Sequence, residues 1–279
     1  MRSIIPKDRY LKINGLRLHY LDWGNHGCQT ILLLHGFLAH AHVWDDFAVN
    51  LQSHYHVIAL DQRGHGESQW SNDGAYSLDD HFSDIAHFIE TLDLNELILI
   101  GHSMGGRHAL FYAACVPHKE DRLILVDARP GNDPQAAYAL RRLLATFPRE
   151  AHSLKEVVQA IRSLYPYLSR EMCYHIANHG YKRVHEGTYI PKYDTRMAQQ
   201  SDDTGYATED LWPFMKNVPC PVLLIRGNES HFLSREVAQQ MCRALPQAKF
   251  QEIPESTHMP VQENPIATTK VIMDFLNNR

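Results

Sequence analysis

No cluster of lysine and arginine occurs anywhere in this chain, and its formal charge is −5. Together these argue against a surface built to hold the phosphates of nucleic acid. Long apolar runs are missing too: none approaches the roughly 18 residues that a membrane-crossing helix needs. Met1 to Tyr10 holds Pro6, Lys7, Asp8 and Arg9 with no apolar core, so no secretory leader is expected. Cysteine is scarce. The five (Cys28, Cys115, Cys173, Cys220, Cys242) are odd in number and scattered, with no C-x-x-C pair, which points to reduced thiols and a cytoplasmic setting. Internal repeats and low-complexity linkers are also lacking. What is present is ordinary for a globular protein: 279 residues, 44% apolar and 21% charged, enough to bury a sizeable core.

Histidine is the compositional exception, at nineteen. Most are expected on the surface or in loops, because no grouping shows ligand spacing. His40-x-His42 comes closest but lacks the further histidines and carboxylates of a metal site. Neither a metal nor another cofactor is expected.

Apolar runs of strand length recur along the chain: Tyr10–Ile13, Leu16–Leu21, Thr30–Leu34, Val57–Leu60, Leu97–Ile100, Leu123–Val126, Val222–Ile225 and Phe250–Ile253. Asn14-Gly15 joins the first two as a hairpin, since both residues tolerate positive φ. The later runs are nearly continuous in Ile, Leu and Val, as in strands covered on both faces. Helical patterns separate them, for example Leu78–Leu92. Strand, helix, strand in this order predicts a mostly parallel eight-stranded α/β sheet with helices on both faces. From about Gly131 to Asp210 only helical patterns are evident (Ala136–Thr146, Leu154–Leu164, Arg170–Ala177), with many tyrosines. The expected organisation is therefore a core of residues 1–130 and 211–279, with a helical cap of residues 131–210 inserted after the sixth strand.

The most specific stretch is Gly101-His102-Ser103-Met104-Gly105, a G-x-S-x-G directly behind an apolar strand and ahead of a helix. A serine at so sharp a strand-to-helix turn is forced into a strained backbone, and flanking glycines leave that turn room. A serine hydroxyl is a weak nucleophile until a base takes its proton. The turn thus predicts a histidine after the last strand and a carboxylate between the two. His258, in Glu255-Ser256-Thr257-His258-Met259-Pro260, fits the first. Glycine in His35-Gly36-Phe37-Leu38 lets the backbone approach a substrate oxygen, so the amides of Phe37 and Met104 are the expected oxyanion donors.

With His35-Gly36-Phe37, Asp61-Gln62-Arg63-Gly64-His65-Gly66-Glu67-Ser68, the serine turn and His258, the chain resembles the α/β-hydrolase fold enzymes over nearly its whole length. The resemblance implies that the D-x-R-G-x-G-x-S stretch is a structural turn, so Asp61, Arg63 and His65 are expected to be scaffold. His102 and Arg107 are expected to pack around the serine turn rather than act. The sequence departs from the family at the acid. Members usually place it after the seventh strand as G-x-x-D, whereas here Gly227-Asn228-Glu229-Ser230 puts serine there. Asp127, ending the sixth strand, and Glu229 are the two candidates, with Asp127 preferred.

Ser103, His258 and a carboxylate support acyl transfer through an acyl-enzyme, with water as usual acceptor. Serine at the turn excludes the epoxide-hydrolase and dehalogenase members, which carry aspartate there. The expected function is hydrolysis of carboxylic esters with small or medium acyl groups, acting on a small molecule as a monomer or homodimer. Thioesterase, lactonase, amidase or C–C hydrolase activity remains open, as does a non-catalytic receptor on the same scaffold.

Overall fold

Alternation along each central strand decides which side chains meet. The computed structural model describes residues 5–116, 120–131, 134–185, 187–197 and 209–277. Residues 1–4 of the expected leaderless start, and 198–208 of the expected cap, lie outside the described residues. The main sheet holds β1 (Lys7–Ile13), β2 (Leu16–Asp22), β3 (Thr30–Leu34), β4 (His56–Leu60), β5 (Leu97–His102), β6 (Glu120–Val126), β9 (Val222–Gly227) and β10 (Ala248–Ile253). Its spatial order is β1-β2-β4-β3-β5-β6-β9-β10. The β1–β2 hairpin and the β2–β4 pairing are antiparallel, and every other pairing is parallel. All eight expected strands are found, each extended by at most a few residues. At the hairpin Asn14 has φ 49 and Gly15 φ 81, as that dipeptide suggested.

Ile31, Leu33, Ile98 and Ile100 fall in one apolar cluster, while Leu32, Leu34, Leu97 and Leu99 fall in another. Neighbours in sequence thus face opposite layers, and both layers are filled by helices. These are α1 (Asp45–Leu51), α2 (Leu78–Thr91), α3 (Met104–Cys115), α7 (Arg235–Ala244), α8 (Pro260–Glu263) and α9 (Pro265–Asn277). Helix α2 starts in a reciprocal capping box between Ser77 and Asp80.

Between β6 and β9 stand α4 (Pro134–Thr146), α5 (Leu154–Leu164) and α6 (Arg170–Gly180). The segment is not purely helical, which corrects the sequence expectation. A hairpin of β7 (Tyr181–His185) and β8 (Thr188–Pro191) follows α6, turning at Gly187 with φ 74. Four of the five β7 residues are exposed, so no buried apolar run marks the strand in the sequence. Val157, Ile161, Tyr165 and Cys173 join the same apolar cluster as Leu33 and Ile100, so the cap shares the core of one sheet face.

The histidines qualify a second expectation: nine of the described ones are buried, among them His35, His65, His102 and His108. Burial favours the neutral ring, which offers one donor and one acceptor to the turns around it. His65 illustrates this, with Nδ1 donating to the Arg63 carbonyl at 3.0 Å and Nε2 accepting from the Leu38 amide at 3.3 Å. It is pushed down to about 3, chiefly by burial.

The turn after β4 is scaffold. Asp61 accepts from His19 Nδ1 at 2.7 Å and from the amides of Ala41 and Glu67 at 2.6 and 2.9 Å. Arg63 grips both carboxylate oxygens of Asp84 on α2, at 2.7 and 2.8 Å. Arg63→Ala would strand that buried carboxylate. The unfolding free energy, read from the urea midpoint, is expected to fall by about 3–5 kcal/mol.

Candidate functional site

Strand β5 ends in Gly101-His102 and the chain reverses into α3 at Ser103, which has φ 51 and ψ −113. A non-glycine residue there is strained, and the surroundings enforce it. A Cβ on Gly101 would strike the Gly105 carbonyl, and one on Gly105 would strike the Leu34 carbonyl of β3. The elbow thus forms only where both flanking residues are glycine. Ser103 is anchored through its amide to the Val126 carbonyl at 2.9 Å.

The structure brings the three expected side chains together. Ser103 Oγ lies 2.9 Å from His258 Nε2, and His258 Nδ1 lies 2.6 Å from Asp127 Oδ2. Nδ1 must donate to the carboxylate, which leaves Nε2 as the acceptor facing the hydroxyl. Asp127 follows β6 with φ 46 and is held by the Gly227 amide at 3.2 Å and the Ser230 hydroxyl at 2.6 Å. Ser230, the residue standing where the usual acid belongs, therefore donates to Asp127 at the end of the neighbouring strand. Glu229 is elsewhere: exposed, and accepting from Tyr167 of the cap at 2.6 Å.

Local contacts fix the loop that carries His258. Glu263 on α8 accepts from the amides of Thr257 and Met259 at 2.7 and 3.2 Å. His102 Nε2 donates to the His258 carbonyl at 2.7 Å, so His102 braces the base from below the elbow. Phe232 stacks on the His258 ring at 3.8 Å and 20°. Arg226 threads the loop between β9 and α7, donating to the carbonyls of Asn228, Ser230 and Leu233 at 3.0, 3.1 and 2.6 Å. Sequence reasoning missed Phe232, Ser230 and Arg226 as site-forming residues. Only Ser230 carried a signal, through its place in G-x-x-S.

Burial governs the electrostatics. It holds the His258 imidazole below its ordinary value, aided by the Arg129 guanidinium. It also lifts the Asp127 carboxyl, against hydrogen bonds from Ser230 and Gly227 that favour the anion. Burial thus disfavours the charged form of both groups, and the hydrogen bonds that Asp127 accepts are what favour its anion.

Phe37 and Met104 flank Ser103 in the wall of the cleft. Gly36 passes close enough that a Cβ would lie 3.3 Å from Ser103 Cβ and 2.7 Å from His102 Nδ1. That approach puts the Phe37 backbone beside the hydroxyl, and Met104 opens α3, where amides point out of the helix. The cleft has a volume of about 910 Å³ including its mouth. Its cap wall is Leu140, Leu143, Phe147, Ile161, Tyr165 and Ile176. Of the described cap tyrosines, only Tyr165 lines it.

Arg107 and Arg129 also line the cleft. Arg107 donates to the carbonyls of Arg129 and Glu209 at 3.2 and 2.7 Å, one on each stem of the cap. Two groups among the described residues could ligate a metal: Asp22, His26 and His56, and His42, Asp45 and His179. The second supplies the histidine and carboxylate partners that His40-x-His42 lacked in sequence, because α1 and α6 bring them from elsewhere. Among the described residues no helix is long and apolar enough to cross a membrane.

Comparison with known proteins places this geometry in context. The model of the alpha/beta hydrolase fold family matches residues 29–265. A 2-(acetamidomethylene)succinate hydrolase of Mesorhizobium japonicum is 28% identical over 247 residues, covering 88% of this chain and 87% of its own. An esterase of Mycobacterium tuberculosis is 26% identical over 280 residues, covering 98% and 91%. A crystal structure of E-2-(acetamidomethylene)succinate hydrolase superposes with a TM-score of 0.89 at 26% identity, covering 98% of this chain and 99% of that one.

Proposed function

The chain belongs to the α/β-hydrolase family, and from that premise we propose that it is a serine hydrolase cleaving carboxylic esters of small to medium acyl groups. The observation that carries this is the unbroken relay from Ser103 Oγ through His258 to Asp127 at the base of the cleft, 2.9 and 2.6 Å long. His258 Nε2 takes the Ser103 proton as Oγ attacks the ester carbonyl. Asp127 steadies the imidazolium and fixes its tautomer. The amides of Phe37 and Met104 receive the oxyanion, each such donor being worth about 3 kcal/mol in kcat. The alcohol leaves with the proton from His258. Water, activated by the same imidazole, then releases the acid. A cytoplasmic monomer or homodimer acting on a small molecule, with no metal in the reaction and no nucleic acid, completes the reading.

A fluorophosphonate probe tests it. Labelling confined to Ser103, with turnover of p-nitrophenyl esters, supports the assignment. An unlabelled, folded protein would favour a receptor on a hydrolase scaffold. Rates on acyl-CoAs, lactones and amides separate the neighbouring reaction classes.

The base must be neutral to act, and burial holds His258 below its ordinary 6.5. The same burial lifts its Asp127 partner, so the two take up a proton as one unit, and the kcat/KM of a neutral ester is expected to fall on the acid side along a single-proton limb. A rate that stays flat through acidic solution, or a limb taking up two protons, would contradict a coupled imidazole–carboxylate pair.

One observation favours a narrower substrate class. Two guanidinium groups, Arg107 and Arg129, stand in the cleft beside Ser103, opposite a cap wall that is apolar apart from Tyr165. They suit an ester whose acyl part bears a second carboxylate, and one relative is named for a substituted succinate. A monomethyl ester of a dicarboxylic acid is expected to exceed its dimethyl ester by about tenfold or more in kcat/KM. Arg129→Gln should shrink that ratio, and a ratio near one in the wild type rules the preference out.

A further inference from the structure

Outside the cleft, four side chains converge where α6 of the cap rests on the core. His42 lies in a single 3-10 turn, Ala41–Trp44, and Asp45 opens α1. His175 and His179 are four residues apart on α6 and so share one face of it. His42 Nδ1 and His175 Nε2 lie 2.9 and 3.2 Å from the same oxygen, Asp45 Oδ2. The His179 ring stacks on His42 with centroids 3.7 Å apart and stands 4.7 Å from the ring of His175. The ligand atoms of His42, Asp45 and His179 fall within 4.8 Å of one another.

We propose that His42, Asp45, His175 and His179 form a binding site for a divalent transition metal of the zinc class, which fastens the cap to the core. Three imidazoles and one carboxylate are a donor set that zinc accepts in tetrahedral geometry. Ligand atoms in such a site are about 3.3 Å apart, given metal–ligand bonds of about 2.0–2.1 Å. His42, Asp45 and His179 therefore close by side-chain rotations of up to about 1.5 Å, and His175 joins them by turning Nε2 from the His42 carbonyl, which it meets at 2.9 Å. The second carboxylate oxygen, Asp45 Oδ1, is buried and takes no hydrogen bond among the described residues. A buried acceptor left this way calls for a partner, and a cation beside the carboxylate answers it. His179 also makes no hydrogen bond among the described residues.

The location gives the site its consequence. Ile176, next to one ligand on α6, lines the cleft, and Val43, next to another, lines it from the core side. His40 Nε2 donates to the Ile176 carbonyl at 3.1 Å across the same seam. A metal here would stiffen the wall of the cleft without entering it. The other candidate group is weaker. His26 is 65% exposed and 3.8 Å from Asp22, and His56 Nδ1 already meets Thr30 Oγ1 at 3.3 Å.

The test uses the full chain stripped of metal, titrated with ZnCl2 by calorimetry and with CoCl2 by absorption. One zinc per chain is expected, with cobalt giving visible d–d bands and no near-ultraviolet thiolate band. His179→Ala and His42→Gln should each weaken zinc by about tenfold or more, while His26→Ala leaves it unchanged. Zinc should raise the Tm of the wild type but not that of His179→Ala. Each variant's metal-free Tm reports whether it still folds, and His175→Gln replaces any variant that does not. Wild-type protein that binds no zinc, a thiolate band, or loss of binding through His26→Ala rather than His179→Ala would overturn the proposal.

Discussion

Alanine at position 103 is expected to lower kcat for an activated ester by roughly 10⁵- to 10⁶-fold, with little change in fold. The size follows from what is lost: without Oγ no acyl-enzyme forms, and His258 has no hydroxyl to deprotonate. Stability should change little, because the elbow is held by Gly101, Gly105 and the Ser103 amide on Val126 rather than by the hydroxyl. A residual acceleration of roughly 10³–10⁴ over water should remain from the oxyanion amides and the cleft. Turnover of p-nitrophenyl acetate, with circular dichroism as the folding control, decides it. Near-normal turnover by the folded alanine variant would remove the basis of the proposed function.

Asp127→Asn is expected to cost about 10⁴ in kcat. The amide keeps the shape of the carboxylate but presents a donor or a neutral acceptor to Nδ1, so the tautomer and the imidazolium both lose support. Glu229→Gln should leave kcat within a few-fold of wild type, because Glu229 is exposed and engaged with Tyr167 rather than with the base. The opposite pattern would transfer the acid to Glu229. Ser230 sharpens the comparison, since its hydroxyl is 2.6 Å from Asp127 Oδ2 and it occupies the position the family gives to aspartate. The pair Asp127→Ser with Ser230→Asp should therefore recover part of the activity that Asp127→Ser alone destroys.

Much of this was legible before any coordinates. The eight core strands declared themselves because buried parallel strands must be continuously apolar, and the elbow did so because its geometry tolerates few residues. His258 was suggested by its place after the last strand, whereas the acid was narrowed only to Asp127 or Glu229. The β7–β8 hairpin was not legible, since exposed strands such as Tyr181–His185 leave no apolar periodicity. Buried histidines were misread for a related reason: a neutral imidazole in a core satisfies hydrogen bonds with groups remote in sequence. His35 does so, with Nε2 accepting from the Gln62 amide at 3.0 Å. The cluster at His42 was hidden in the same way, because its histidine partners, His175 and His179, lie more than a hundred residues downstream. Phe232 had no signal at all; its stacking on His258 depends on a loop that Arg226 shapes in three dimensions.

The stems of the insertion touch: the Leu211 amide donates to the Pro130 carbonyl at 2.9 Å, and Arg107 bridges Arg129 to Glu209 beside them. Everything between those stems is topologically a closed loop on an intact sheet. Segments of different length or architecture can thus be exchanged there without disturbing strand order, much as a tool head is changed on a fixed handle. The reactive groups stay on the handle, and selectivity is free to diverge in the interchangeable part.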